Sequence, residues 1–391
     1  MANASTQYGI TQRFVTDSAN AQLDELLGSI AEYLQLTPTQ HQSAEEKYHA
    51  VAEWLSADSS PVRGLDPQIY AQGSLRIGTT VKPLKSEEFD LDLVCELSAS
   101  ATAPPMGVYE LLWSRMESNL RYQPLLRRRP RCIRIDYASD FHLDIVPAVP
   151  DPHGTTLGSL LIPDHEEQSW LPSNPKGYAL WLDEQARLPL REKRAMGATI
   201  EPLRAVQPAN SKPPLKLAVQ LLKRQRDVTF ASRSEAPPPS IVLTTLAGLL
   251  YQKEEDATDS LSAILSRAVD WSRREIIHLW NPANEKECIT DRWQSQPGAY
   301  QAFVQELEAF ALRWHALVQH GAFPDLAKEL ELLFGERPVR CALRAYAESR
   351  TNARQRGDLH ASRTTGTLLT AAAPEALKVP DHTFHGGWDA K

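Results

Sequence analysis

The segments AQGSLRIGTT (Ala71–Thr80) and EFDLDLV (Glu88–Val94) decide how this chain is read. The second alternates acidic and apolar residues with the period of two of a β-strand, so Asp90 and Asp92 project from one face while Leu91 and Leu93 project into a core. Two like charges this close on a half-buried strand repel, and a hard divalent cation bound through carboxylate oxygens removes that cost. A third acid, Asp144, lies in the apolar run FHLDIV (Phe141–Val146). An aspartate is unfavourable in such a strand unless something compensates it, so a third ligand arriving on a neighbouring strand is expected. In the first segment Gly73 lets the backbone approach a phosphate closely. The Ser74 hydroxyl and nearby amides can donate to phosphate oxygens, with Thr79 and Thr80 in reach to assist. Each signal alone is weak, since a lone glycine-serine pair or a lone Asp-x-Asp recurs in many chains. In this order they form one device, a phosphate cradle beside a site for two Mg2+ ions, or Mn2+ in their place.

Outward from this centre, helical periodicity marks Ser18–Leu34 and Thr37–Leu55, the second with Thr39 or Ser43 as its expected cap. After the FDLDLVCEL strand, Val108–Tyr122 reads as a helix, and CIRIDY and FHLDIVPAV read as paired strands across Ala138–Asp140. Beyond Pro150 helices are expected at Gly177–Gln185, Leu215–Arg226, Ile241–Tyr251, Ser260–Leu279, Tyr300–Leu317 and Phe323–Phe334. The expected class is α+β. Residues 1–165 form N-terminal helices and a catalytic lobe with a mixed sheet, residues 166–358 a mostly α-helical nucleotide-binding lobe, and residues 359–391 a mobile linker and tail.

Composition narrows the function. The 391 residues carry 42 Lys plus Arg against 49 Asp plus Glu, a net charge of −7, which suits small anionic substrates better than a long nucleic acid. Cys95, Cys132, Cys288 and Cys341 are scattered, without metal-ribbon spacing or a secreted disulfide pattern, so a reducing cytoplasm is expected. Neither a signal segment nor a membrane span is read.

The order GS, DxD, D resembles the polymerase-beta-type nucleotidyltransferases. AQGSLRIGTTVKP, EFDLDLV, LDIVPAV, SNPKGYALWL, LKLAVQLLKRQRD, PPPSIVLTTLAG, NPANEKECITDRW and HTFHGG resemble the bacterial cGAS/DncV-like group, the CD-NTases of CBASS anti-phage signalling, over most of the chain from Gln72 to Gly387. The resemblance implies an enzyme that joins NTPs, ATP among them, into a cyclic di- or trinucleotide; the alternative readings are an RNA- or protein-directed nucleotidyltransferase and a non-catalytic nucleotide-binding scaffold. It implies that Asp90, Asp92 and Asp144 hold the metals, Gly73 and Ser74 the phosphates, and Lys223 and Ser240 the donor triphosphate. Physical chemistry agrees: lysine is a compact cation suited to a terminal phosphate, although Lys223 could also be a solvated neighbour of Arg224 and Arg226. Ser240, just ahead of an apolar helix, reads as an N-cap where amides and the dipole favour an anion.

His142 and Tyr70 read as packing or hydrogen-bonding residues, although Tyr70 could stack on a base. The basic run LRRRPRCIR (Leu126–Arg134) reads as solvated or acid-paired, with a part in holding acidic substrates. No clustered Cys/His insertion is present, so direct DNA activation is not expected and an accessory regulatory protein or small ligand takes its place. In the tail, Phe384 is expected to dock in a groove of the helical lobe.

Overall fold

Strand β1 (Gln68–Gln72) runs straight into the glycine-serine turn, and β2 (Phe89–Glu96) carries the two aspartates. These are elements of a computed structural model that describes residues 20–84, 89–137, 141–186, 199–320, 323–363, 368–370 and 376–379. With β3 (Leu126–Arg128), β4 (Ile133–Tyr137) and β5 (Phe141–Pro150) they form a sheet ordered β1-β2-β5-β4-β3, extended by β6 (Leu160–Asp164) and β7 (Ser169–Ser173). The β2–β5 pair is parallel and every other pair antiparallel, so the sheet is mixed, as expected.

Period-two alternation divides this sheet into two faces. Leu91, Leu93, Ile133, Ile135, Leu143 and Ile145 are fully buried on one face, beneath helices α2 (Pro38–Ser56) and α4 (Pro105–Glu117), which bring Tyr48, Val51, Leu55, Tyr109 and Leu112. The helix before them, α1, spans 20–34. The cap of α2 is Thr37, not Thr39 or Ser43. Its hydroxyl accepts from the Gln40 amide, and the Gln40 side chain accepts from the Thr37 amide. Pro38 at the first helical position has no amide proton to satisfy, which moves the start forward. Helix α4 also stops short of Tyr122, giving way to a short 3-10 turn at Gln123–Leu125.

Two compact units divide the chain, Leu34–Leu312 and, separately, Met1–Tyr33 with Arg313–Lys391. The first holds the sheet and then α5 (Pro175–Gln185), α6 (Pro214–Phe230), α7 (Ser240–Leu250) and α8 (Ala257–Arg274). Helix α8 ends before the expected Leu279, because the chain turns into a β8–β9 hairpin (Trp280–Asn281 with Asn284–Cys288). The short α9 (Arg292–Ser295) and then α10 (Pro297–His320) follow. After α11 (Phe323–Phe334) the second unit contains a helix the sequence reading missed, α12 (Glu336–Arg356). Its mean hydropathy is low, and only Pro338, Val339, Ala342 and Ala353 are buried, so no apolar stripe announced it. The expected linker is also partly ordered: His360–Ser362, Leu368–Leu369 and Ala376–Lys378 form a three-stranded sheet. The tail from Pro380, with HTFHGG and Phe384, lies outside the described residues. Among those described, no helix is long and apolar enough to cross a membrane.

Candidate active site

The opposite face of the sheet carries the acids, aligned by strand register. Gln72 pairs with Asp92, Asp92 with Asp144 and Asp144 with Arg134, a single row across β1, β2, β5 and β4. One step along the same face, Asp90 pairs with His142 and His142 with Asp136. The three predicted aspartates are therefore neighbours because of backbone pairing. Asp90 is exposed, Asp92 half-buried and Asp144 buried. Burial, with the charges of Asp144 and then Asp90, raises the Asp92 carboxyl to about 7. Asp144 gives both oxygens to Arg134, each at 2.7 Å from the guanidinium, whose Nη2 also lies 3.8 Å from Asp90 Oδ1.

Gly73 begins a one-turn helix, α3 (Gly73–Arg76), at φ 63°, a left-handed conformation that glycine adopts without penalty. A Cβ built on it would overlap Asp92 Oδ2. Space and backbone thus both require glycine, and the glycine-serine turn and Asp92 are set against each other. Ser74 and Arg76 line the same hollow, and buried Arg76 is tied to Glu201 at 3.1 Å.

Lys223 lies on α6 and is buried, not solvated. Its Nζ donates to Thr79 Oγ1 at 2.8 Å and to the Thr79 carbonyl at 3.2 Å, just beyond the glycine-serine turn. Burial, aided by Arg226, lowers its ammonium to about 7. Ser240 is the first residue of α7, but Pro239 holds the cap position and the Ser240 side chain makes no capping bond. Its hydroxyl instead accepts from Arg226 Nη1 at 3.0 Å. The capping reading of Ser240 is therefore corrected, while Ser240 lines one cavity with Gly73, Ser74 and Lys223. A cavity of about 400 Å³ is lined by Gly73, Ser74, Asp90, Asp92, Lys223 and Ser240, closed by Tyr178, Ile241, Asn281 and Glu287. A second hollow of about 530 Å³ shares Ser74, Asp90, Lys223 and Ser240.

Comparison with known proteins places this geometry. Residues 19–186 match the Second Messenger Oligonucleotide or Dinucleotide Synthetase domain. The chain is 31% identical over 381 residues to the c-di-GMP synthase of Roseivirga ehrenbergii, covering 95% of this chain and 99% of that one. This chain belongs to the CD-NTase family. It is also 27% identical to the cyclic dinucleotide synthase CdnG of Bradyrhizobium diazoefficiens, over 91% of this chain and 90% of CdnG. The structure of that CdnG in complex with GTP superposes with a TM-score of 0.65 and 26% identity, over 83% of this chain and 99% of CdnG.

The remaining predicted residues of this CD-NTase fall as follows. Tyr70 is buried, its hydroxyl donates to Glu96 at 3.0 Å, and Lys176 Nζ stands 3.7 Å above its ring. His142 Nδ1 lies 3.2 Å from Asp136. The basic run is acid-paired, Arg128 with Glu110, Arg131 with Asp164 and Arg134 with Asp144. Tyr178, Asn281 and Glu287 also line the cavity and were not singled out from the sequence. The three carboxylates share one face, and burial first, then the charges of Asp144 and Asp90, keeps Asp92 hard to ionise, a cost that a hard cation bound to carboxylate oxygens would relieve. Among the described residues no group of three or more His, Cys, Asp or Glu is arranged around one point for an ion, and both Asp144 oxygens are held by Arg134.

Proposed function

We propose that this chain joins nucleoside triphosphates, GTP among them, into a cyclic dinucleotide second messenger. The observation that carries the reading is the placing of Asp90 and Asp92 on one cavity wall with Gly73, Ser74, Lys223 and Ser240, and with Asp144 in register behind them. That such a cavity belongs to a relative of a c-di-GMP synthase, and to a fold shared with a GTP complex, supports a cyclic product and guanine use. The Gly73–Ser74 turn and Lys223 would hold the donor triphosphate, with Ser240 and the first amides of α7 completing the cradle. Asp90, Asp92 and Asp144 would hold Mg2+, or Mn2+. Bound there, the metal would polarise the acceptor hydroxyl and neutralise charge on the leaving pyrophosphate.

The reaction is in-line: a ribose oxygen bonds to the α-phosphorus, the bond to pyrophosphate breaks, and the hydroxyl proton is lost. Buried Asp144 would help activate that hydroxyl. A second transfer closes the ring, and release of the product in response to phage infection is the cellular role the family likeness suggests. Asp90→Asn with Asp92→Asn keeps side-chain shape and removes the charges that bind metal. The double variant is expected to fold, by circular dichroism and melting, and to consume no labelled NTP. Turnover near the wild-type rate would overturn the reading.

A further inference from the structure

We propose that Arg134 is a positioning residue for this reaction, a resident counter-cation that aims the Asp144 carboxylate and sets how readily it accepts a divalent ion. The inference rests on reading Asp90, Asp92 and Asp144 as the metal-binding carboxylates. Its basis is the sheet itself. Arg134 and Asp144 are register partners on β4 and β5, and Asp144 and Asp92 are partners on β5 and β2, so the guanidinium is delivered by backbone pairing on the face that carries the acids. The pair is bidentate, at 2.7 Å for Nε to Oδ1 and 2.7 Å for Nη2 to Oδ2, and the Asp144 side chain is only 12% exposed. The same Nη2 lies 3.8 Å from Asp90 Oδ1, so one cation serves two of the three acids.

Guanidinium does not lose its proton, so its charge is permanent. Two consequences separate. Its charge relieves the repulsion among the carboxylates in the metal-free protein and opposes the arrival of another cation. Its planar fork fixes the rotation of the Asp144 carboxylate, which a point charge such as lysine cannot do. The neighbouring acid on β4, Asp136, is engaged elsewhere, 3.6 Å from Arg127 and 3.2 Å from His142.

Three full-length proteins test this, the wild type, Arg134→Met and Arg134→Lys. The readouts are Mn2+ binding to the nucleotide-free protein by calorimetry, melting in EDTA and in Mg2+, and kcat and KM for GTP. Arg134→Met should melt lower in EDTA, gain more from Mg2+ than the wild type does, and bind Mn2+ about tenfold more tightly. Arg134→Lys should keep near-wild-type melting and Mn2+ affinity. Both should lose about tenfold or more in kcat with KM little changed, since orientation is lost in both. A merely structural arginine predicts equal melting losses with and without metal and unchanged Mn2+ affinity, and that result would overturn the proposal. If Arg134→Met does not fold, wild-type kcat in Arg134→Lys overturns it. Mn2+ binding that survives Asp90→Asn with Asp92→Asn unchanged would remove the carboxylate reading itself, and this inference with it.

Discussion

At Gly73 two independent constraints meet, a φ of 63° and the space taken by Asp92 Oδ2. Gly73→Ala should therefore lower kcat by about a hundredfold, by shifting the turn and the acid together, while costing only about 1–2 kcal/mol of stability. Steady-state rates and a urea melt check it; full activity would mean that the turn is not part of the site. Lys223 carries a pH prediction. In the free protein burial lowers its ammonium to about 7, and a bound triphosphate restores the charged form. GTP binding should then take up protons at pH 8 and almost none at pH 6, and affinity should fall as pH rises through about 7. Calorimetry in buffers of different ionisation enthalpy measures this; no uptake at pH 8 would place Lys223 away from phosphate. Asp90, Asp92 and Asp144 were legible because an aspartate in an apolar strand demands a reason. Arg134 was legible in principle too. A hairpin closing across residues 138–140 pairs position 134 with 144, but the surrounding basic run drew attention to net charge and away from register.

The elements that frame the site were read best where a single periodicity rules. The alternation of FDLDLVCE and the apolar face of α2 follow directly from residue order, whereas ends and caps depend on which polar group wins the free amides. Thr37 wins through a reciprocal pair with Gln40. Thr37→Ala should cost about 1 kcal/mol, measured by urea denaturation, with NTP turnover unchanged. Helices α5 and α6 are joined by Asp183, which accepts from Lys216 at 2.6 Å and from Arg204 at 2.6 Å in the interior. Buried Lys216 has no exposed surface, so its charge could not be inferred to be internal from a helix that reads as basic and solvated at Lys223–Arg226. Asp183→Ala removes this partner from buried Lys216 and half-buried Arg204 and should cost about 3–5 kcal/mol by urea denaturation. A loss below 1 kcal/mol would show that the pair is not load-sharing between α5 and α6.

For the whole molecule, composition bounded the class of substrate, and motif order pointed to the chemistry. The identity of the bases was not legible. They would meet side chains from separate elements, among them Tyr178 on α5, Ile241 on α7 and Glu287 on the β8–β9 hairpin, that only the folded chain brings onto one cavity. Nor was α12, whose exposed polar surface carries no core signal. The central claim is that this cavity closes a ring between two nucleotides, and product chemistry tests it most directly. The purified chain is incubated with the four NTPs and Mg2+, then treated with phosphatase, and the resistant material is analysed by mass spectrometry. A cyclic dinucleotide containing guanine, absent with Asp90→Asn and Asp92→Asn, is the expected result. Linear, phosphatase-sensitive chains, or nucleotide attached to the protein itself, would contradict it.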